Sequence, residues 1–346
     1  MTNLLTHSAP PDNNPTLSPR CPNAPVPEAL KPMLAALPQR RFFKLIGGGS
    51  LTEADKIASL AKAYALGGAD CIDIAPNLAV IEAVDTALNT IPGPRPVLMI
   101  SLPLDPDPHF RKIELAEPDC IRCGLCLPEC PTEAIMLPDA LNISQALCYG
   151  CGRCVPVCPT DALSLLPFQV DSQIEAALSH PAVQALEIHS HYCDPGMLAT
   201  FLDRWQALLH DKLIALCFRP EAIPVPQLLD FCRTAQAQSA LPILLQIDGA
   251  PMSGTEDPEA SRPALEAAVW MAKQLASHGG NFPITISGGI NTHTAQWLSE
   301  TRYDFIAGVG MGTMARKAIW NLPKSTAAEA AKQIIGLFKT KSSGLR

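Results

Sequence analysis

Residues 120–131 read Cys-Ile-Arg-Cys-Gly-Leu-Cys-Leu-Pro-Glu-Cys-Pro, and residues 148–159 read Cys-Tyr-Gly-Cys-Gly-Arg-Cys-Val-Pro-Val-Cys-Pro. A metal-sulfur cage needs four thiolates, and a tight loop with cysteines three residues apart supplies three of them to one cage. The fourth must come from elsewhere. In two-cluster ferredoxins the cysteine before the proline reaches across to the other cage. This arrangement assigns Cys120, Cys123, Cys126 and Cys158 to one [4Fe-4S] cluster and Cys148, Cys151, Cys154 and Cys130 to a second.

Gly124, Gly150 and Gly152 allow the sharp turns that bring backbone amides close to sulfur. The two halves repeat at an offset of 28 residues, with Cys-Pro-Thr-Glu-Ala echoed as Cys-Pro-Thr-Asp-Ala, so one cluster-binding unit has been duplicated. Zinc ribbons have no use for a third cysteine followed by Cys-Pro. A disulfide framework would require export, yet Met1 to His7 lacks a basic region leading into an apolar core.

Outside this cassette, short apolar runs alternate with amphipathic stretches. Eight strands are predicted at 42–48, 71–75, 96–102, 185–190, 213–218, 242–248, 283–287 and 305–309, with helices between them and a last helix over 327–338. Eight βα units with strands too apolar to face water predict a parallel TIM-barrel-like (β/α)8 fold, with an open α/β sheet as the alternative. The predicted division is a tail over 1–38, a first part of the barrel over 39–104, a 2[4Fe-4S] ferredoxin-like module over 105–167 and the rest of the barrel over 168–340. Loops after barrel strands open on the face where barrel active sites lie, so the module is expected over the mouth.

The first 38 residues hold nine prolines and no hydrophobic period, and are expected to be an extended or disordered tail. Cys21 reads as a bystander there. The net charge of -7 and the lack of basic runs argue against nucleic acid. No apolar stretch is long enough for a membrane span, and the chain reads as cytoplasmic.

Polar residues at strand ends are candidates for chemistry: Lys44, Asp73, Asn77, His189, His191, Arg219, Asp248 and Asn291. They show no nucleophile-base signature, so no catalytic residue is assigned. Gly288, Gly289, Gly310 and Gly312 follow strands seven and eight, where barrels cradle phosphate, and would suit the phosphate of FMN. Simple tight turns are the other reading. His191 and Cys193 alternate with His189 on an extended run, although local hydrogen bonds and packing explain them equally well. Cys71, Cys217 and Cys232 read as core residues.

Phe42-Phe43-Lys44-Leu45-Ile46-Gly47-Gly48-Gly49 and Gly68-Ala69-Asp70-Cys71-Ile72-Asp73-Ile74-Ala75, followed by the double cluster cassette and a long α/β region, resemble the light-dependent-period protein A family. The resemblance spans roughly residues 35–340. It implies a cyanobacterial iron-sulfur protein of circadian clock input that senses photosynthetic redox state, with a redox partner and clock proteins as partners. The alternative is a barrel oxidoreductase, flavin-dependent, with the clusters as its electron wire. A plain electron carrier would leave the barrel unexplained.

Overall fold

The computed structural model describes residues 25–168, 173–219, 223–249, 257, 259, 262–300 and 303–339. In chain order these form α1 (Lys31–Ala36), β1 (Phe42–Ile46), α2 (Ala54–Gly67), β2 (Cys71–Ile74), α3 (Leu78–Leu88) and β3 (Val97–Pro103). The cassette follows, with short strands β4 (Arg111–Leu115), β5 (Ile135–Met136), β6 (Asn142–Ile143) and β7 (Leu163–Pro167). The chain then returns through α4 (Ile174–Ser179), β8 (Val183–His189), α5 (Pro195–Leu209), β9 (Leu213–Phe218), α6 (Val225–Gln238) and β10 (Leu244–Asp248). It ends with α7 (Arg262–Ser277), β11 (Ile284–Ser287), α8 (Thr294–Leu298), β12 (Ile306–Met311), α9 (Thr313–Ile319) and α10 (Lys324–Lys339).

β1, β2, β3, β8, β9, β10, β11 and β12 close into an eight-stranded barrel, each parallel to its neighbours. The barrel expected from the apolar runs is therefore the fold, and the open sheet is not. Local signals set the helix ends: Asn77 and Asp194 accept hydrogen bonds from Val80 N and Met197 N at the starts of α3 and α5, and Gly68 ends α2 in the left-handed region. Among the described residues, no helix is long and apolar enough to cross a membrane.

Side chains two apart on a strand share a face, and inside this barrel that period stacks three layers. The floor is apolar: Phe42, Cys71, Met99, Ala185, Ala215 and Leu244 pack in one cluster. Two residues further along each strand stand Lys44, Asp73, Ser101, Glu187, Cys217 and Gln246, all buried. A third step on β8 and β10 brings His189 and Asp248 to the mouth.

The expected tail needs correction at its inner end. Leu30, Met33 and Leu37, around α1, are buried against the floor and close the bottom of the barrel. The apolar floor residues would otherwise face water there. Residues 1–24, and Cys21 with them, lie outside the described residues.

The cassette is held by two antiparallel pairs, β4 with β7 and β5 with β6, around its own small core. It docks on the mouth side. Thr52 N donates to Ala146 O at 2.9 Å, Ser50 Oγ to His109 O at 3.1 Å, and Lys112 Nζ to the carbonyls of Ser50, Gln145 and Cys148.

Candidate functional site

Two cavities lie in the cassette. Cys120, Cys123, Cys126 and Cys158 line one of about 330 Å³, and Cys130, Cys148, Cys151 and Cys154 line the other, of about 310 Å³. Cys158 thus stands with the first run of three thiols and Cys130 with the second. Gly124, Gly150 and Gly152 have φ of 76°, 68° and 75°, and a side chain at Gly150 would strike the Arg111 carbonyl at 2.1 Å.

The duplicated Cys-Pro-Thr segments do the same work in each half. Cys130 Sγ accepts from Ala134 N at 3.2 Å and lies 3.7 Å from Thr132 Oγ1. Cys158 Sγ lies 3.8 Å from Thr160 Oγ1, and although burial works the other way, amides of Thr160 and Ala162 lower its pKa. Burial and the neighbouring thiols push Cys126 upward and Cys154 up to about 12. Four thiolates so crowded repel one another unless cations lie among them, which is the situation an iron-sulfur cage supplies. Lys112, half-buried, adds a positive charge beside Cys148, although burial lowers its pKa to about 8. The donor sets, the glycine turns and the donors to sulfur all fit such a group.

Above the barrel's middle layer lies a further cavity of about 740 Å³, including its open mouth. Lys44 and Glu187 form an ion pair inside the barrel, both under 2% exposed. Burial disfavours both charges, but each partner holds the other ionised, with Asp73 adding to Lys44 and His189 to Glu187. Burial opposes a proton on His189, while Cys217, Glu187 and Asp107 favour one. Burial pushes the Cys217 thiol up to about 12, so it is neutral at pH 7. Glu187 (3.0 Å) and Asp107 (3.8 Å) are therefore the charges that keep His189 protonated.

The cassette completes this network. Asp107 Oδ1 lies 2.7 Å from His109 Nδ1, His109 Nε2 lies 3.4 Å from Asp248 Oδ2, and Ser287 Oγ donates to Asp248 at 2.8 Å. Asp107, His109 and His189 bring donor atoms within 4.8 Å of one another, a set that suits a divalent cation, although each already bonds its neighbours.

Of the strand-end candidates, Lys44, Asp73, His189 and Asp248 line or support this mouth. Asn77 instead caps α3 and bonds Gln173. Asn291 accepts from His293 N and Thr294 N, organising the turn before α8. His191 and Cys193 do not converge with His189: His191 N donates to Asp105, and Cys193 is buried in the core. Arg219 follows β9 and is not among the residues lining the cavity.

The four glycines expected to form a phosphate cradle do different jobs. Gly310 lies inside β12, where a side chain would meet Gln246 Oε1 at 3.0 Å and Lys44 Cε at 3.2 Å, so its absence makes room for the polar layer. Gly288 and Gly289 form a left-handed turn, and Gly312 borders Arg316.

Sequence reasoning passed over Glu187, Gln246, His109, Asp107, Tyr149 and Arg316. The first two were legible only as alternate positions on barrel strands. Asp107, His109 and Tyr149 needed the docking of the cassette, and Arg316 needed the packing of α9 against the end of β1. Tyr149, between ligand-lining Cys148 and Cys151, reaches into the mouth, where its hydroxyl is 3.4 Å from Thr313 Oγ1.

A family model described as the light dependent period A C-terminal domain matches residues 177–341, and one described as a 4Fe-4S dicluster domain matches residues 119–162. The chain therefore carries an iron-sulfur dicluster domain. It is 32% identical over 308 residues to Light dependent period A of Synechococcus elongatus, covering 84% of each protein. Among solved structures, the tryptophan synthase alpha chain of Legionella pneumophila is 11% identical, with 92% of this chain and 98% of that one covered and a TM-score of 0.49. (S)-3-O-geranylgeranylglyceryl phosphate synthase from Thermoplasma acidophilum is 12% identical, with 90% and 98% covered and a TM-score of 0.47.

Proposed function

The chain belongs to the light dependent period A family, and from that membership we propose that it is a cytoplasmic redox sensor of circadian clock input. In this reading Cys120, Cys123, Cys126 and Cys158 hold one [4Fe-4S] cluster, and Cys148, Cys151, Cys154 and Cys130 hold the other. The observation that carries it is the grouping of the eight thiols around two cavities, one of which borders the barrel through Tyr149.

The first cavity lies at the outer rim. Ile121 and Leu125 beside it are 64% and 53% exposed, and Cys123 is exposed too, which suits electron exchange with a redox partner. The second cavity faces inward, since Cys151 packs against the barrel core. One added electron changes the charge of a cluster by one, and the loops and side chains that hold it respond to that field. Clock proteins docking nearby would read the response.

Anaerobic purification with iron and acid-labile sulfide analysis, followed by pull-downs from oxidised and reduced lysates, tests this. The expected result is a brown protein whose clock-protein partners differ between the two states. A colourless preparation without sulfide, or identical partners in both, overturns the reading.

The converging mouth residues favour a second reading, a barrel oxidoreductase whose clusters feed electrons to FMN. Its phosphate would rest near Gly288, Gly289 and Gly312, with Gly310 excluded by its place in the sheet. A yellow chromophore released on denaturation is its expected mark, and iron and sulfide alone would remove it.

A further inference from the structure

Arg316 is only 5% exposed, yet among the described residues it pairs with no carboxylate. Its Nη1 donates to Ile46 O at 2.9 Å and Gly47 O at 3.3 Å, and its Nη2 to Thr313 Oγ1 at 3.1 Å. A guanidinium has five N–H groups, so two donors remain, and a buried cation without a counter-charge is costly. A side chain at Gly48 or Gly312 would sit 3.6 Å or 3.4 Å from its Nη1, so these glycines keep the space around it open.

A second buried group in the same cavity carries an unfilled acceptor. Gln246 Nε2 donates to Glu187 Oε1 at 3.1 Å, which fixes the amide orientation, and its Oε1 has no hydrogen-bond partner among the described residues although it is buried. That oxygen faces Gly310, two residues along the chain from the Gly312 that borders Arg316. Both residues line the same cavity, which thus presents a cation and, apart from it, an unfilled acceptor, and so calls for an anion that also carries an N–H or O–H donor.

We propose that the barrel mouth binds a small phosphate monoester, its phosphate on Arg316 among Gly48 and Gly312 and its donor end on Gln246, with affinity linked to the charge of the neighbouring centre. Phosphate is favoured over carboxylate because a guanidinium fork ringed by approachable glycine backbone matches its several oxygens. Tyr149 separates Arg316 from the Cys130, Cys148, Cys151 and Cys154 thiols, and it contacts both Arg316 and the Cys151 thiol. Reduction adds a negative charge behind Tyr149 and weakens phosphate binding. By reciprocity, bound phosphate makes the centre harder to reduce. The linkage rests on the cluster reading given above, whereas the phosphate site does not.

The test is isothermal titration calorimetry of the anaerobically purified full chain with inorganic phosphate, in chloride buffer of matched ionic strength, before and after dithionite reduction. Saturable binding is expected, about fivefold weaker on reduction and at least about tenfold weaker in Arg316→Lys, which loses the fork. Circular dichroism and iron content establish that the variant is folded and loaded. Absence of saturable heat from wild-type protein overturns the site whether or not the variant folds, as does equal binding by a folded Arg316→Lys. Equal binding in both redox states overturns the linkage. Iron and sulfide analysis of the same samples separates either failure from a failure of the cluster reading.

Discussion

The guanidinium carbon of Arg316 lies 4.4 Å from the centroid of the Tyr149 ring. One residue belongs to the end of the barrel and the other to a cysteine loop of the cassette, so this stack bridges the two chemistries. Tyr149→Leu is expected to cost about 2–3 kcal/mol of stability by removing a buried ring and its cation contact. Tyr149→Phe, which keeps the ring, should cost less than about 1 kcal/mol. Anaerobic urea denaturation measures both. Water admitted by the leucine variant should stabilise the more charged reduced state and raise the potential of the second centre, read by paramagnetic resonance during a redox titration.

The ion pair of Lys44 and Glu187 spans the barrel from β1 to β8. Lys44→Met leaves a buried carboxylate whose cationic partners are reduced to His189, and should cost about 3–5 kcal/mol. Adding Glu187→Gln to that variant removes the stranded charge and should restore part of the loss. Equal stability of the single and double variants in denaturation experiments would show that the charge is not what matters.

Asp73 sits in the same layer, and burial pushes it up to about 6, with Lys44 opposing and Glu187 adding to the shift. A carboxyl raised in the folded state contributes stability that is full below its unfolded pKa, near 4, and is lost as pH rises through 6. Above that, Asp73 is a cost. Asp73→Asn, which can still accept from Ser101 Oγ, is therefore expected to be more stable than wild type at pH 7.5, by up to about 3 kcal/mol. The advantage should shrink towards pH 4. Paired denaturation curves at the two pH values check both sign and window.

All eight barrel strands were legible because buried parallel strands are apolar almost throughout, and each run is bounded by turn residues. The polar layer was not. Glu187 and Gln246 are single polar residues within apolar runs, and only closure of the barrel places them opposite Lys44. The helix of Met33, with Leu30 just before it, was hidden for another reason: six residues among prolines carry too little periodicity to register, and the burial of Leu30 and Met33 depends on a floor built from distant strands. Leu30→Ala should cost about 2–4 kcal/mol, as for a core leucine, whereas a frayed tail would lose almost nothing. Thermal unfolding distinguishes the two.

The exchange of Cys130 and Cys158 between the halves yields the sharpest expectation. If each thiol serves the centre of the opposite run, Cys130→Ala damages the centre beside Tyr149 and leaves the outer one, while Cys158→Ala does the reverse. Each variant should lose up to about half of its iron. Iron content alone cannot tell them apart, but position can. Only Cys130→Ala should abolish the effect of reduction on phosphate binding at Arg316, because only that centre lies behind the Tyr149 ring. If Cys158→Ala abolishes it instead, the cysteines before the prolines stay with their own runs, and the inward centre is not the one assigned.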